Sequence, residues 1–142
     1  MEIEVANKTR KRISKLLVQK AVRKTLDVSK SNRENFSVSV AFVEKSEIRR
    51  LNRIYRKKNK PTDTLSFSYD SGYNKRKRVY SGELVLCPEI ISKQAKENKV
   101  AFQKELVFVL SHGVLHLLGM KHGKKMYEVQ DRISSLKFKE YN

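Results

Sequence analysis

FQKELVFVLSHGVLHLLGMKH, residues 102–122, joins the most apolar segment of the chain to all three of its histidines. Apolar side chains from Phe102 to Leu118 fall on nearly every side of a helix, which is typical of a helix that is largely buried. Gly119 follows directly, and glycine often ends a helix because it adopts a left-handed conformation at little cost. The stretch therefore predicts a central buried helix, followed by a loop that carries the last histidine.

The three histidines have the spacing of a metal site. His112 and His116 are one helical turn apart, about 40° in azimuth and 6 Å along the axis, so their imidazoles can converge on one ion. A helix break at Gly119 allows His122 to return from the loop as a third ligand. Three histidines suit Zn²⁺ or another first-row divalent metal and leave a coordination position open. We predict one such ion per chain.

Gly113 stands where H-E-x-x-H metallopeptidases carry the glutamate that acts as general base, so a peptidase mechanism with that base is excluded. Glycine inside a helix costs about 1 kcal/mol relative to alanine. We therefore expect Gly113 to permit a close approach of backbone or substrate. The alternative for the histidines is that they cap the helix or satisfy separate polar positions without a metal.

Charge points to a polyanionic partner. The chain has 142 residues and a formal net charge of +17, from 32 lysines and arginines against 15 acidic residues. Such a field favours RNA or DNA, although a solvated, heavily charged surface is the simpler alternative. Basic clusters occupy residues 8–12, 56–60 and 75–78, in or beside apparent loops.

Several absences favour a cytoplasmic location. No apolar run approaches the roughly 20 residues of a membrane span, and the N-terminus lacks the apolar segment of a secretory signal. Cys87 is alone, so no internal disulfide is expected. Cys87 also precedes a proline that suits the first position of a helix, so it is expected to cap or pack rather than to act as a nucleophile.

The remaining segments alternate strand and helix patterns. Alternating apolar residues predict strands around residues 3–5 and over 36–43, 64–69 and 81–86, the last two paired as a long hairpin. Helical spacing predicts helices over 13–26, from a Ser46 cap to about Arg56, from Pro88 onward, and over 126–137. Ile48, Leu51, Ile54 and Tyr55 are expected to face inward. The predicted fold is α/β (α+β): a single domain over 1–142, with a mixed sheet of about four strands covered by helices.

Four segments resemble the YbeY family of bacterial metal-dependent endoribonucleases. HGVLHLLG at 112–119, ending in His122, resembles its histidine signature. LNRIYR at 51–56 and PTDTLSF at 61–67 are similar to its N-x-x-Y-R and T-D-V-L-S-F segments, and GELVL at 82–86 to its G-D-I-x-I strand. The resemblance implies cutting of single-stranded RNA around a three-histidine metal site. It also implies work in small-subunit rRNA 3′-end maturation and ribosome quality control, with the small ribosomal subunit and its associated proteins as partners.

The resemblance also implies roles for residues outside the histidines. Arg56 matches an arginine linked to activity, and a guanidinium can clamp a phosphate and offset charge in the transition state. Thr62, Asp63 and Ser66 are expected to line the cleft. Asp63 and Glu83 are candidate bases, or carboxylates that orient a metal ligand. Lys121 stands where the family usually has an aspartate before the last histidine. It adds a positive charge beside the metal loop, where we expect it to bind substrate, and it removes a possible carboxylate partner of a ligand histidine.

Two other functions remain open. A metal-stabilised, non-catalytic factor that binds RNA or the ribosome would need the same histidines and the same charge. A metal-dependent hydrolase of another substrate would need only the metal. Tyr69, Tyr73 and Tyr80 could stack on unpaired bases or pack in the core.

Overall fold

The sheet carries four strands in the order β1-β2-β4-β3 in the computed structural model, which describes residues 1–30, 35–69 and 80–135. Strand β2 pairs in parallel with β1 and β4, whereas β3 pairs with β4 antiparallel. The predicted mixed sheet and its hairpin pairing are therefore confirmed. The strands are β1 Glu2–Asn7, β2 Phe36–Phe42, β3 Thr64–Ser68 and β4 Tyr80–Leu86.

Five helices accompany the sheet within the described residues. The fourth packs against three other helices and against two strands, so the predicted central helix is confirmed. None of the helices in the described ranges is both long enough and apolar enough to span a bilayer. The helices are α1 Lys15–Val28, α2 Lys45–Arg56, α3 Pro88–Glu97, α4 Phe102–Leu117 and α5 Lys124–Ser134.

The sheet separates two apolar clusters. The larger one joins α1, α4 and α5 to inward residues of β2 and β4, including Leu84 and Leu86. The smaller one joins Ile48 of α2 to Leu65, Val85 and Cys87. Because neighbouring strand residues point to opposite faces, α2 covers the face of the sheet opposite to α1, α4 and α5.

Helix α2 departs from the prediction in two ways. It begins at Lys45 with Glu44 as N-cap, because the Glu44 carbonyl already accepts the first helical N–H bonds, so the predicted Ser46 cap is wrong. Ile54 and Tyr55 are 51% and 62% exposed, so their inward orientation is also wrong. The cluster beneath α2 is small, and Ile48 with the partly buried Leu51 is enough to cover it.

Other boundaries shift by a turn or less. Helix α1 begins after Ser14, whose Oγ accepts a hydrogen bond from the Leu17 N–H at 3.1 Å. Cys87 is the N-cap of α3, as predicted; it is buried and makes no side-chain capping bond, and burial raises the pKa of its thiol. Helix α5 begins at Lys124, before the predicted residue 126. The predicted turn at 70–72, the basic cluster at 75–78, Tyr73 and the helix end near 137 lie outside the described residues.

Candidate metal centre and substrate cleft

The three histidines converge at the C-terminal end of α4. His112 and His116 are partly buried on one face of the helix, whereas His122 is exposed on the loop that follows. Their ring centroids are 4.5 to 5.0 Å apart, and their candidate ligand nitrogens all lie within 4.8 Å of one another. The return of His122 from the loop, predicted from the glycine stop, is confirmed.

Gly119 makes that return possible. Its φ of +83° lies in the left-handed region, which glycine adopts at little cost. The Gly119 N–H donates to the His116 carbonyl at 2.9 Å, and the Met120 N–H donates to the Leu115 carbonyl at 3.0 Å. These bonds close the last turn of α4 and direct the chain back towards His112.

The donor set fits a first-row divalent ion. Nitrogens bound to a tetrahedral zinc ion at about 2.05 Å lie roughly 3.3 Å apart, so small side-chain movements suffice to close the site. Two of them, Nε2 of His112 and Nε2 of His116, are already 2.9 Å apart. Burial, followed by the charges of His112 and His122, lowers the pKa of His116. The neutral imidazole that coordinates a metal is thereby favoured at this position.

Gln130 of α5 supports the centre from behind, and the sequence interpretation missed it. Its side chain is 3% exposed, with Oε1 3.5 Å from Nδ1 of His112. Its Nε2 donates to the Phe108 carbonyl at 3.4 Å, which fixes the amide orientation. A partner at Nδ1 leaves Nε2 of His112 to face His116. The sequence did contain a signal for this role, because Gln130 is a polar residue beside the apolar inner stripe of the last helix.

Arg56 connects the metal centre to the other face of the sheet. It is the last residue of α2, and its Nη2 donates to the Ser66 carbonyl on β3 at 2.9 Å. Nearby, Asn52 is buried and its Nδ2 donates to the Lys60 carbonyl at 2.8 Å, which anchors the loop after α2. The Arg56 guanidinium is thus held against β3 by one main-chain hydrogen bond.

A cavity of about 620 Å³ brings most of the candidate residues together. Arg56, Asp63, Ser66 and the three histidines all line it. Thr62 and Lys121 are not among the lining residues described. The Thr62 hydroxyl donates to Oδ1 of Asp63 at 3.4 Å, and Lys121 is exposed on the loop before His122. The proposed substrate contacts of Thr62 and Lys121 stay predictions.

Glu83, Tyr69 and Tyr80 are not among the residues that line this cavity. The Tyr69 hydroxyl donates to Oε2 of Glu83 at 2.7 Å, and this bond raises the pKa of Tyr69. Both residues line a smaller cavity of about 250 Å³ beneath Tyr55. Tyr80 is half-buried against the main core, as its packing alternative predicts.

Apolar walls complete the metal cavity. Phe108, Val109 and Leu117 of α4 line it together with Thr64 of β3. Phe108 is 43% exposed, so the helix is less uniformly buried than its apolar pattern predicts, because the cleft opens along this side. The Thr64 Oγ1 is buried without a hydrogen-bond partner among the described residues, which leaves one polar atom in the wall to be satisfied by a water or a ligand.

Comparison with known proteins identifies similar chains along most of the length. The family model Endoribonuclease YbeY matches residues 3–136. Relatives named Endoribonuclease YbeY include those of Bdellovibrio bacteriovorus, 39% identical over 77% of this chain and 71% of the relative, and Persephonella marina, 35% identical over 85% and 82%. The solution structure of TM1509 from Thermotoga maritima has 30% identity and a TM-score of 0.64, covering 93% of this chain and 86% of that one.

Proposed function

The chain belongs to the YbeY endoribonuclease family, and we propose that it is a metal-dependent endoribonuclease that cuts single-stranded RNA. The observation that carries this proposal is that three imidazoles and one fixed guanidinium line the same cavity. A Lewis acid and a cation that offsets charge on the phosphoryl oxygens both lower the barrier to phosphodiester cleavage. We keep the proposal that residues 1–142 form one such domain.

We assign the metal ligands to His112, His116 and His122. A divalent first-row ion bound there would supply Lewis acidity and lower the pKa of a coordinated water. Gln130 holds His112 in the ring orientation that this binding requires. These three imidazoles are the one candidate cluster of metal ligands in the described ranges. Loss of any one of them removes a third of the protein ligands.

Arg56 binds the phosphate in this proposal. One N–H of its guanidinium is engaged by the Ser66 carbonyl, which fixes the plane of the fork. The remaining N–H groups can bind a phosphoryl oxygen through charge-assisted bonds, which strengthen as negative charge grows in the transition state. Because the fork is held before substrate arrives, little reorganisation is needed.

Asp63 is the one carboxylate among the described residues that line the cavity, so we assign it the role of proton acceptor. The attacking oxygen, from water or the RNA 2′-hydroxyl, forms a bond to phosphorus and gives its proton to this base. The bond from phosphorus to the 5′-oxygen breaks, and this leaving oxygen takes up a proton from solvent. Phe108, half exposed at the rim, offers a face on which an unpaired base can stack.

We further propose a cytoplasmic role in small-subunit rRNA 3′-end maturation and ribosome quality control, at the small ribosomal subunit and its associated proteins. A net charge of +17 supports a polyanionic partner of this kind. Depletion in cells should leave unprocessed small-subunit rRNA 3′ ends. Normal 3′ ends after depletion would count against this role while leaving the nuclease activity intact.

The direct test is cleavage of end-labelled single-stranded RNA by purified protein of known metal content. We expect His116→Ala to lose both metal and cutting, and Arg56→Ala to lose cutting while keeping the metal. Lys24→Ala, at an exposed position of α1 that does not line the cavity, is the matched control and should cut normally. Cutting that survives in metal-free protein would refute the mechanism, and metal-dependent RNA binding without cutting would indicate the non-catalytic factor.

A further inference from the structure

A second polar cavity lies along α2, outside the metal site. It measures about 390 Å³ and is lined by Ser46, Arg49, Arg50, Arg53 and Asn59. All three arginines are exposed. Asn59 accepts a hydrogen bond at its Oδ1 from Nε of Arg49 at 3.0 Å, so this arginine is held against the loop after α2. The cavity is therefore a groove walled by guanidinium groups.

Positive charge in this groove is largely uncompensated. Residues 49–60 contain four arginines and three lysines and no acidic residue. Glu47 forms an ion pair with Arg50. In the described ranges, no carboxylate pairs with Arg49, Arg53 or Arg56. Guanidinium groups without carboxylate partners favour an anionic ligand, and their planar forks match the oxygens of a phosphate.

The arginines of the groove and the arginine of the metal cavity lie on one face of α2. Arg49, Arg53 and Arg56 stand at positions i, i+4 and i+7, so they share one face of α2 within about 60° of azimuth and about 10 Å of length. Arg56 at the end of this row lines the histidine cavity. These three residues, which we call the arginine row, extend along α2 from the groove to the arginine that lines the metal cavity.

We propose that a single RNA strand extends from the metal cavity along α2, with its phosphates bound by Arg49 and Arg53. This inference rests on the proposed function for the identity of the ligand, and it adds where the strand runs. Contacts to phosphate carry no base preference, so the row holds the strand in place without selecting its sequence. Affinity then depends on whether the RNA is long enough to reach the groove.

The test compares single-stranded oligouridylates of about 4 and about 12 nucleotides, within the range of known single-strand site sizes. Fluorescence anisotropy at several salt concentrations measures their affinity for wild type and for Arg49→Gln/Arg53→Gln. We expect the double variant to bind the longer RNA roughly tenfold more weakly. Its affinity for the shorter RNA should stay within about twofold, and the slope of log affinity against log salt should fall by about 1.4 for two lost contacts.

Two further variants keep the test decisive. Arg53→Gln alone preserves the bond between Arg49 and Asn59 and should lower the salt slope by about 0.7. Lys15→Gln/Lys24→Gln removes the same charge from exposed sites on α1, across the sheet, and should not distinguish the two RNA lengths. Equal losses for both RNAs, or an equal length-dependent loss in this control, would overturn the path along α2.

Cleavage of the longer RNA by wild type separates the two proposals. Cutting by wild type together with unchanged length and salt dependence in the arginine variants would leave the nuclease proposal standing and reject the path. Length-dependent binding that is lost with the arginines, without any cutting by wild type, would support the path and reject the catalytic proposal.

Discussion

Replacing Gly113 with alanine tests how closely α4 must approach the sheet. A Cβ at this position would lie 2.8 Å from Cδ2 and 3.3 Å from Cδ1 of Leu84 on β4. Carbon atoms pack best at about 3.5–4.0 Å, so the leucine methyl would have to move by about 0.7–1.2 Å. Leu84 is 0% exposed and lies in the main core, where neighbouring side chains leave little room for that movement.

Two opposing effects determine how much Gly113→Ala changes the free energy of unfolding. Overpacking of this kind costs about 1–3 kcal/mol in free energy of unfolding. Alanine in a helix interior returns about 1 kcal/mol relative to glycine. We therefore expect Gly113→Ala to destabilise the protein by about 1 kcal/mol on balance, within a range of roughly 0–2 kcal/mol.

Leu84→Val is the second variant of a double-mutant cycle with Gly113→Ala, and it removes the methyl groups that the alanine Cβ would meet. Leu84→Val deletes the δ carbons and keeps carbon near the position of Cγ, which lies 3.6 Å from the built Cβ and makes ordinary contact. In that background Gly113→Ala should stabilise the protein by about 1 kcal/mol, because only the helix preference remains. The coupling energy between the two sites is then about 1–3 kcal/mol.

Urea unfolding of wild type, both single variants and the double variant measures that coupling. Equal m-values across the four proteins would show that the denatured states are comparable. If Gly113→Ala stabilised both backgrounds, or if the coupling fell below about 0.5 kcal/mol, the close approach to Leu84 would not be the reason for the glycine.

Gly82→Ala should destabilise more, by about 2–3 kcal/mol in urea unfolding, because its Cβ would lie 2.6 Å from a main-chain oxygen of β3 that cannot rotate away; a milder effect would mean that β3 shifts. Gln130→Leu should lower zinc affinity about 10–100-fold in competition with a fluorescent chelator, through lost orientation of His112; unchanged affinity would contradict that role. Asn52→Ala should cost about 1–3 kcal/mol and reduce cutting, since it frees the loop after α2. Chelation should abolish cutting, and added Zn²⁺ should restore it; cutting in chelator would refute the metal requirement.

Local patterns predicted the metal centre better than its surroundings. Two histidines one turn apart and a glycine after an apolar run are governed by helix geometry alone, so the convergence of His112, His116 and His122 followed from spacing. The predicted inward orientations of Ile54 and Tyr55 were wrong. The periodicity of a helix shows which apolar residues share a face, but it does not show how much of that face the rest of the protein covers. The bond from Arg56 to the Ser66 carbonyl spans the loop between α2 and β3, and no local pattern in the sequence specifies how that loop folds back.

The position of the metal centre follows from two contacts that are reciprocal. Leu84 of β4 packs against Gly113 of α4, and Leu117 of α4 packs against Gly82 of β4. The step of four residues from Gly113 to Leu117 along the helix spans about 6 Å, and the step of two residues from Gly82 to Leu84 along the strand spans about 6.6 Å. Both contacts therefore form in one register.

The same register determines the direction of α4 relative to β4 and β3. As α4 advances from Gly113 to Leu117, the matching positions on β4 run backward from Leu84 to Gly82, so the helix is antiparallel to β4. Because β3 is antiparallel to β4 as well, the C-terminal end of α4 meets the C-terminal end of β3. His116, one residue before Leu117, is thereby placed on the cavity that Ser66 and Ser68 line. Any substitution that separates the helix from the strand should therefore weaken metal binding along with stability.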